Sequence, residues 1–326
     1  MAEKLSPTDL TEEQERLLEE VRQEVRKHRE EKRRRREALI GTAIIILILA
    51  AVFSVIFSGC TPRHPQPGDQ LTVHFIDVGQ GDCTLLTAGG ETMLIDSGEV
   101  SEFSTVKAYL TECGIKRLDH IVVTHPHSDH MGAMAQIIEC FDTGEVIMPA
   151  VPDEYIPVTA WFGDFLDVME RRKIRLIPAE PGMRFMLGDA QCLVTAPLTM
   201  SADDLNNFSV GLRITHGANT FLLAGDAERA EELDMVSSGT ADKVTVLKLN
   251  HHGSPTSSCE EYLRAASPEL AVISCGAGNP YGHPADEVLE RLERYTRRIY
   301  RTDLHGSIVF RSDGDELSVG TERSGK

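Results

Sequence analysis

Beyond residue 70 the apolar positions come in short runs whose period switches between two and nearly four. LTVHFIDVG (71–79) alternates apolar and polar side chains and is rich in β-branched residues. CTLL (83–86) and TMLID (92–96) follow at short intervals, which predicts an opening meander of strands. STVKAYLTECG has helical spacing and stops at Gly114, DHIVVTH (119–125) predicts a buried strand, and residues 131–141 predict another helix. Further strands are expected at 191–196, 208–216, 219–225, 244–250, 270–275 and 306–311, with helices near 159–172, 227–237, 258–266 and 285–297. No fixed-period repeat interrupts this order. The alternation implies an α/β domain over 70–326 with two strand-rich halves and helices covering both outer faces.

The first 69 residues follow other rules. Residues 8–37 carry charge at almost every turn and predict one solvated cytoplasmic helix, with Thr11 and Glu12–Glu13 suited to its start. From Ala38 to Pro62 no residue is charged, and ALIGTAIIILILAAVFSVIFS has 21 residues, enough to cross a hydrocarbon core of about 30 Å. The twelve residues before it, RKHREEKRRRRE, hold eight basic and three acidic side chains, so the positive-inside rule keeps that end in the cytoplasm. Segment 1–37 is then a cytoplasmic helical segment, 38–60 a transmembrane signal anchor, 61–69 a linker, and the body extracytoplasmic. A cleaved signal peptide, or a lipoprotein signal ending at Cys60, are the alternatives, and the long leader and long apolar run favour the uncleaved anchor.

Composition narrows the choice of function. With 41% hydrophobic and 26% charged residues the chain is globular rather than collagenous or wholly disordered. Residues 1–37 hold 11 basic and 11 acidic side chains, so the whole formal charge of −18 sits on the remainder. Such a body does not grip nucleic acid through its general surface, and an anionic substrate must be held at a local site. The seven cysteines are scattered without a CxxC pair, which excludes a disulfide framework or zinc ribbon and favours mostly buried free thiols, with one or two disulfides the alternative for an extracytoplasmic body.

One stretch is dense in chemistry. His125-Pro126-His127-Ser128-Asp129-His130 places three imidazoles and a carboxylate within six residues, where a buried strand gives way to a helix. Histidine and carboxylate at this density suit two adjacent metal ions. Asp96 ends MLIDSG, Asp226 ends FLLAGD, and His251-His252 end VTVLKLNHHGS; each follows an apolar strand, so all are expected at one edge of the sheets. Asp77, Gln80 and Asp82 in IDVGQGD are expected to shape a tight turn, with Asp82 able to approach the edge of the site.

HPHSDH, with IDSG before it and LAGD and HHGS after it, resembles the metallo-beta-lactamase superfamily of dinuclear metallohydrolases. More narrowly, FIDVGQGDCTLL, NNFSVGLRI, LLAGD, LNHHGS and NPYGHP are similar to the extracellular hydrolase domain of the ComEC competence-protein family and its free-standing relatives, over about residues 70–312. The resemblance implies an αββα sandwich with two divalent ions at one edge. It implies that His125 and His127 hold one ion, Asp129, His130 and His252 the other, that Asp226 bridges them, and that Asp96 orders the histidine loop. Two positions depart from the superfamily pattern. The third-motif histidine has no counterpart, with Asn206 or Asn207 near its place, and Ala133 stands where many relatives have glycine.

The chemistry expected of such a site is hydrolysis by a hydroxide bridging two ions, with Asp226 orienting it and Asp129 among the catalytic groups. His251, His283 and Ser254 are candidates to contact the developing oxyanion or the leaving group. The imidazole-rich set favours zinc, and manganese also fits. The leading expectation is a membrane-anchored phosphodiesterase or nuclease acting on DNA or a cell-envelope phosphodiester. Because one span cannot itself form a multi-span channel, a channel partner would be a separate membrane protein. The alternatives are a beta-lactam or lactone hydrolase of the same fold, and a non-catalytic, metal-stabilised binding module.

Overall fold

A computed structural model describes residues 70–198 and 204–325. The charged segment 1–37, the apolar span 38–60 and the linker 61–69 lie outside the described residues. Among the described residues no helix is long and apolar enough to cross a membrane.

Two sheets form the centre. The first has eight strands in the order β15-β14-β1-β2-β3-β4-β5-β6: Leu317–Thr321, Ile308–Ser312, Leu71–Phe75, Thr84–Ala88, Glu91–Ile95, Arg117–Val122, Asp142–Met148 and Arg175–Pro178. The second has seven in the order β13-β12-β11-β10-β9-β8-β7: Ile299–Arg301, Leu270–Ile273, Val246–Lys248, Asn219–Leu223, Gly211–His216, Ala190–Ala196 and Arg184–Leu187. β1 to β3 pair antiparallel, as the short intervals between their apolar runs require. From β3 onward the first sheet is parallel, its strands joined through helices α1 (Phe103–Glu112), α2 (Ser128–Met131), α3 (Met134–Cys140) and α4 (Ala160–Arg172). In the second sheet β10 to β13 are parallel, with α5 (Arg229–Ser237), α6 (Glu260–Ala266) and α7 (Asp286–Leu292) between them and the one-turn α8 (Thr302–His305) after β13.

Strand pattern decides the layering. Odd positions of β1, Leu71, Val73 and Phe75, face the second sheet, where they meet Leu212, Ile214, Phe221 and Leu223. Phe310 sits edge-on to both Phe75 and Phe221 with ring centres 6.0 Å away in each case. β10 is apolar on both faces, so Leu222 turns outward to pack with Leu247, Met235 and Leu263 beneath the second helical layer. Leu85, Leu94 and Ile121 likewise meet Val106, Leu110, Ile137 and Phe165 under the first. Strands covered on both faces read as continuous apolar runs, and the result is the expected helix, sheet, sheet, helix order.

Some boundaries move. β4 stops at Val122 rather than 125, because the Thr124 amide is taken by the Asp96 side chain. The strand expected from 208 begins at Gly211 and is preceded by a 3-10 turn, Leu205–Phe208. The helix expected to reach 297 ends at Leu292. The six described cysteines are free thiols, which removes the disulfide option among them.

The parallel segments share one consequence. The loops that follow β3, β4, β10, β11 and β12 all leave from carboxyl ends of strands, the usual place for a ligand site in open α/β sheets.

Candidate metal centre

The histidine loop is built from its backbone outward. Val122 hands the chain to an extended turn, and His127, at φ −95° and ψ 155°, opens α2. Asp96 holds this turn from behind: its Oδ1 accepts the Thr124 amide (2.8 Å) and its Oδ2 accepts the Thr124 hydroxyl (2.7 Å). The same Oδ2 accepts His130 Nδ1 at 2.9 Å. Asp96 itself sits at φ +58°, a left-handed conformation that aspartate tolerates better than most residues. Gly81 packs so closely on the Asp129 carbonyl that a Cβ there would collide with it, which ties the IDVGQGD turn to the histidine loop.

His130 Nε2 then faces forward, 3.1 Å from Asp226 Oδ2. His252 donates from Nδ1 to the Ser274 carbonyl (3.0 Å), and its Nε2 lies 3.3 Å from Asp129 Oδ2 and 3.4 Å from Asp226 Oδ2. With one ring nitrogen of each imidazole committed to an acceptor, the other faces the cavity and would offer its lone pair to a cation on losing its proton. Asp129, His130, Asp226 and His252 thus bring four ligand atoms within 4.8 Å of one another. Beside them His125 Nε2 and His127 Nδ1 approach to 2.9 Å, and the His125 ring centre is 4.2 Å from that of His130.

Two consecutive residues of the HHGS loop, His251 and His252, have positive φ, +49° and +54°. Such strain persists only where surroundings over-determine it. Glu232, fully buried on α5, accepts the Asn250 side-chain amide (2.8 Å) and the backbone amides of Ser258 (2.6 Å) and Cys259 (2.8 Å). His251 N donates to Gly225 O at 3.1 Å, so both imidazoles are turned to the Asp226 side. His251 Nε2 is 3.7 Å from Asp226 Oδ2, and its Nδ1 is 3.3 Å from Glu228 Oε1.

The other expected residues fall as follows. Ser254 Oγ is engaged with Thr256 Oγ1 at 2.9 Å and braces its own loop. His283 lies 5.6 Å from His251, ring centre to ring centre, and its Nδ1 is buried without a hydrogen-bond partner. Asn207 Oδ1 accepts the Glu228 amide at 3.0 Å, whereas buried Asn206 Oδ1 has no partner. Of the two asparagines, Asn206 is the one with an oxygen to spare.

Two neighbours, Lys248 and Glu228, escape a motif-based reading, and Asp82, expected to approach the edge of the site, lies deeper. Asp82 is buried rather than at the rim; its Oδ2 pairs with Lys248 Nζ at 2.5 Å and its Oδ1 is 3.5 Å from His252 Nδ1. Lys248, the last residue of β11, is 2% exposed. Glu228 supports His251 as described. A turn aspartate, a lysine in a strand and a glutamate before a helix are each commonplace in sequence, and only their convergence marks them.

Charge provides the fit test for metal. Asp82, Asp96, Asp129 and Asp226 crowd one site, and among the described residues Lys248 is the fixed cation that pairs with them, so neutral imidazoles would leave the carboxylates in excess. Burial opposes a charge on His130, yet Asp226, Asp129 and Asp96 outweigh it and raise its pKa well above the usual value. His252 is raised in the same way, burial again opposing and Asp226 foremost among the carboxylates. Burial and the neighbouring His130 push His125 well down instead. Asp226 stays ionised against its burial because His130 and His252 flank it. Buried Asp226 Oδ1 and His130 Nε2 nonetheless lack hydrogen-bond partners, as ligand atoms awaiting a cation would. The donor set, imidazole with carboxylate, fits divalent transition ions.

The comparisons agree with this geometry. The family model described as "Metallo-beta-lactamase superfamily" matches residues 76–277. The chain is 28% identical over 271 residues to "ComE operon protein 3" of Bacillus subtilis, a match covering 76% of this chain and 34% of that one. It is 29% identical over 270 residues to "Competence protein ComA" of Neisseria gonorrhoeae, covering 78% of this chain and 35% of that one. The chain thus spans about a third of the length of these curated relatives. Among solved structures, CmlA, a diiron beta-hydroxylase from Streptomyces venezuelae, superposes with a TM-score of 0.53 at 16% identity over 76% of this chain and 55% of that one, a likeness of fold alone.

Proposed function

The chain belongs to the metallo-beta-lactamase superfamily, and from that premise we propose that it is a dinuclear, metal-dependent phosphodiesterase, anchored by the apolar span 38–60 with its catalytic domain outside the membrane. The observation that carries the proposal is the pairing of the four-residue cluster Asp129, His130, Asp226 and His252 with the adjacent His125 and His127. Two neighbouring ion sites suit in-line displacement at phosphorus. Similarity to competence proteins over three quarters of the chain favours DNA, or another extracytoplasmic phosphodiester, as substrate.

In this reading His125 and His127 would hold one ion and Asp129, His130 and His252 the other, with Asp226 beside them as a further ligand. Bound divalent ions, zinc or manganese, supply an ionised water near neutral pH and neutralise charge on a phosphoryl oxygen. Asp226 would orient the attacking water and accept the one proton it gives up on ionising. His251, steadied through Nδ1 by Glu228, presents Nε2 to the same cavity and donates a proton to the leaving oxygen. His283, its ring centre 5.6 Å from that of His251, contacts the leaving group. Asp96 fixes the ring of His130.

The test uses the full-length chain in detergent, loaded in turn with zinc and manganese. Turnover of bis(p-nitrophenyl) phosphate and single-stranded DNA is compared with that of a chromogenic cephalosporin. The expected outcome is metal-dependent phosphodiester cleavage, lost at least a thousandfold in Asp226→Asn at equal metal loading. Cephalosporin turnover alone would move the protein to the lactam-hydrolase reading, and undiminished cleavage by Asp226→Asn would refute the role given to that carboxylate.

A further inference from the structure

Tyr281 is 69% exposed, the most exposed aromatic ring among the described residues that are large and apolar. It contributes little to any core, yet its loop is tightly built. Asn279 organises the turn through both ends of its side chain: Oδ1 accepts the amides of Tyr281 (3.2 Å) and His283 (3.0 Å), and Nδ2 donates to the carbonyls of Gly276 (2.9 Å) and His283 (2.5 Å). Gln80 Oε1 accepts the Gly276 amide at 3.1 Å and ties the same loop to the IDVGQGD turn. On the far side Gly253, at φ +82°, comes so close to Pro284 that an added Cβ would lie 2.5 Å from that ring, which locks the loop against HHGS.

This rigid loop presents its tyrosine in a particular place. The Tyr281 ring stacks on His283 with centres 5.8 Å apart and planes 27° from parallel. His283 in turn lies 5.6 Å from His251, whose Nε2 is 3.7 Å from Asp226. A line of rings therefore runs from the carboxylate at the centre of the site out to solvent. Tyr281 has His283 on one side and is otherwise largely open to solvent. Holding an amphipathic ring in a fixed orientation beside a reaction centre costs little side-chain entropy when a flat ligand ring arrives, because the ring is already placed.

We propose that Tyr281 is a stacking platform for a planar aromatic base of the substrate, beside the scissile phosphodiester. This deepens, and rests on, the phosphodiesterase reading above, and it assigns the substrate as a single-stranded nucleic acid with unpaired bases. Stacking suits this chain because residues 38–326 carry its whole formal charge of −18; recognition through base faces gains binding without neutralising many phosphates. It is also tolerant of sequence, since every base has a flat face.

The experiment compares a dT12 oligonucleotide with a twelve-residue oligomer of abasic tetrahydrofuran units, both cleaved by the manganese-loaded full-length chain. Base stacking on one ring is worth about 1–3 kcal/mol, and the middle of that range is a factor of roughly thirty. Tyr281→Ala should therefore lower the kcat/KM ratio of dT12 to the abasic oligomer by about thirtyfold, through KM rather than kcat, and Tyr281→Trp should keep it. An equal loss on both oligomers would mean that the ring only braces His283 and would overturn the proposal, as would an unchanged ratio. Cleavage of neither oligomer by the wild-type chain would overturn the phosphodiesterase reading and this inference with it.

Discussion

The Asp82–Lys248 pair shows what a buried charge does for its neighbours. Lys248 is enclosed at the end of a strand, donates to the Leu249 carbonyl at 3.2 Å, and reaches Asp82 at 2.5 Å. Against its burial, Lys248 and His252 hold the Asp82 carboxyl down to about 2, so that carboxylate is ionised throughout the neutral range. Buried pairs gain little net stability, but removing one partner strands the other and typically costs about 3–5 kcal/mol. Lys248→Met should destabilise the metal-free protein by that order in urea denaturation. Lys248→Met combined with Asp82→Asn should recover at least half of the loss; strictly additive losses would show that the two side chains do not act as a pair. An intact pair also leaves Asp82 Oδ1 facing His252 Nδ1, a second acceptor beside the Ser274 carbonyl for the ring whose other nitrogen meets Asp129 and Asp226.

At the level of elements, the loops do the positioning and the strands merely deliver them. The HHGS loop bends through two left-handed histidines, and α5 supplies the clamp in Glu232. Glu232→Gln replaces one acceptor oxygen with a donor that faces other donors, a mismatch of about 1–3 kcal/mol. It should weaken zinc binding about tenfold in competition with a chromogenic chelator, because partners behind metal ligands typically matter by 10–100-fold. Lower stability with unchanged zinc affinity would restrict the clamp to folding. These contacts also explain what the sequence made legible. Strands such as β1, β4 and β10 carry either strict alternation or unbroken apolar runs, and the polar residues just past their ends announced Asp96, HxHxDH, Asp226 and His251-His252. β6, β7, β13 and β15 passed unnoticed because they are short edge or near-edge strands whose residues are mostly half-buried or exposed, so their pattern carries no clear period. β5 begins with Asp142, Thr143, Gly144 and Glu145 and shows its apolar run only in its second half. Glu232 and Lys248 were illegible for another reason: their partners lie far away in sequence, and a single buried charge has no period.

For the whole molecule, the sandwich concentrates negative charge at one sheet edge and stays folded by letting protons or metal ions share it. His130 and His252 have folded-state pKa values well above the usual 6.5, burial opposing and the surrounding carboxylates prevailing, so without metal both rings hold protons at pH 7. A group with a raised folded-state pKa contributes stability that is complete below its unfolded value and is lost as pH rises through the folded one. The metal-free protein should therefore lose this contribution on the alkaline side. Metal ligands must be deprotonated, so binding expels those protons and tightens as pH rises. Calorimetric titration with zinc at pH 7, in buffers of different ionisation enthalpy, should report the release of close to two protons. The gap in Tm between zinc-loaded and chelator-treated protein should widen from pH 7 to pH 8.5, since alkalinity weakens one form and favours the other. A gap that narrows over that range, or binding without proton release, would mean that the carboxylate cluster does not hold protons on His130 and His252, and the charge balance drawn for the site would fail with it.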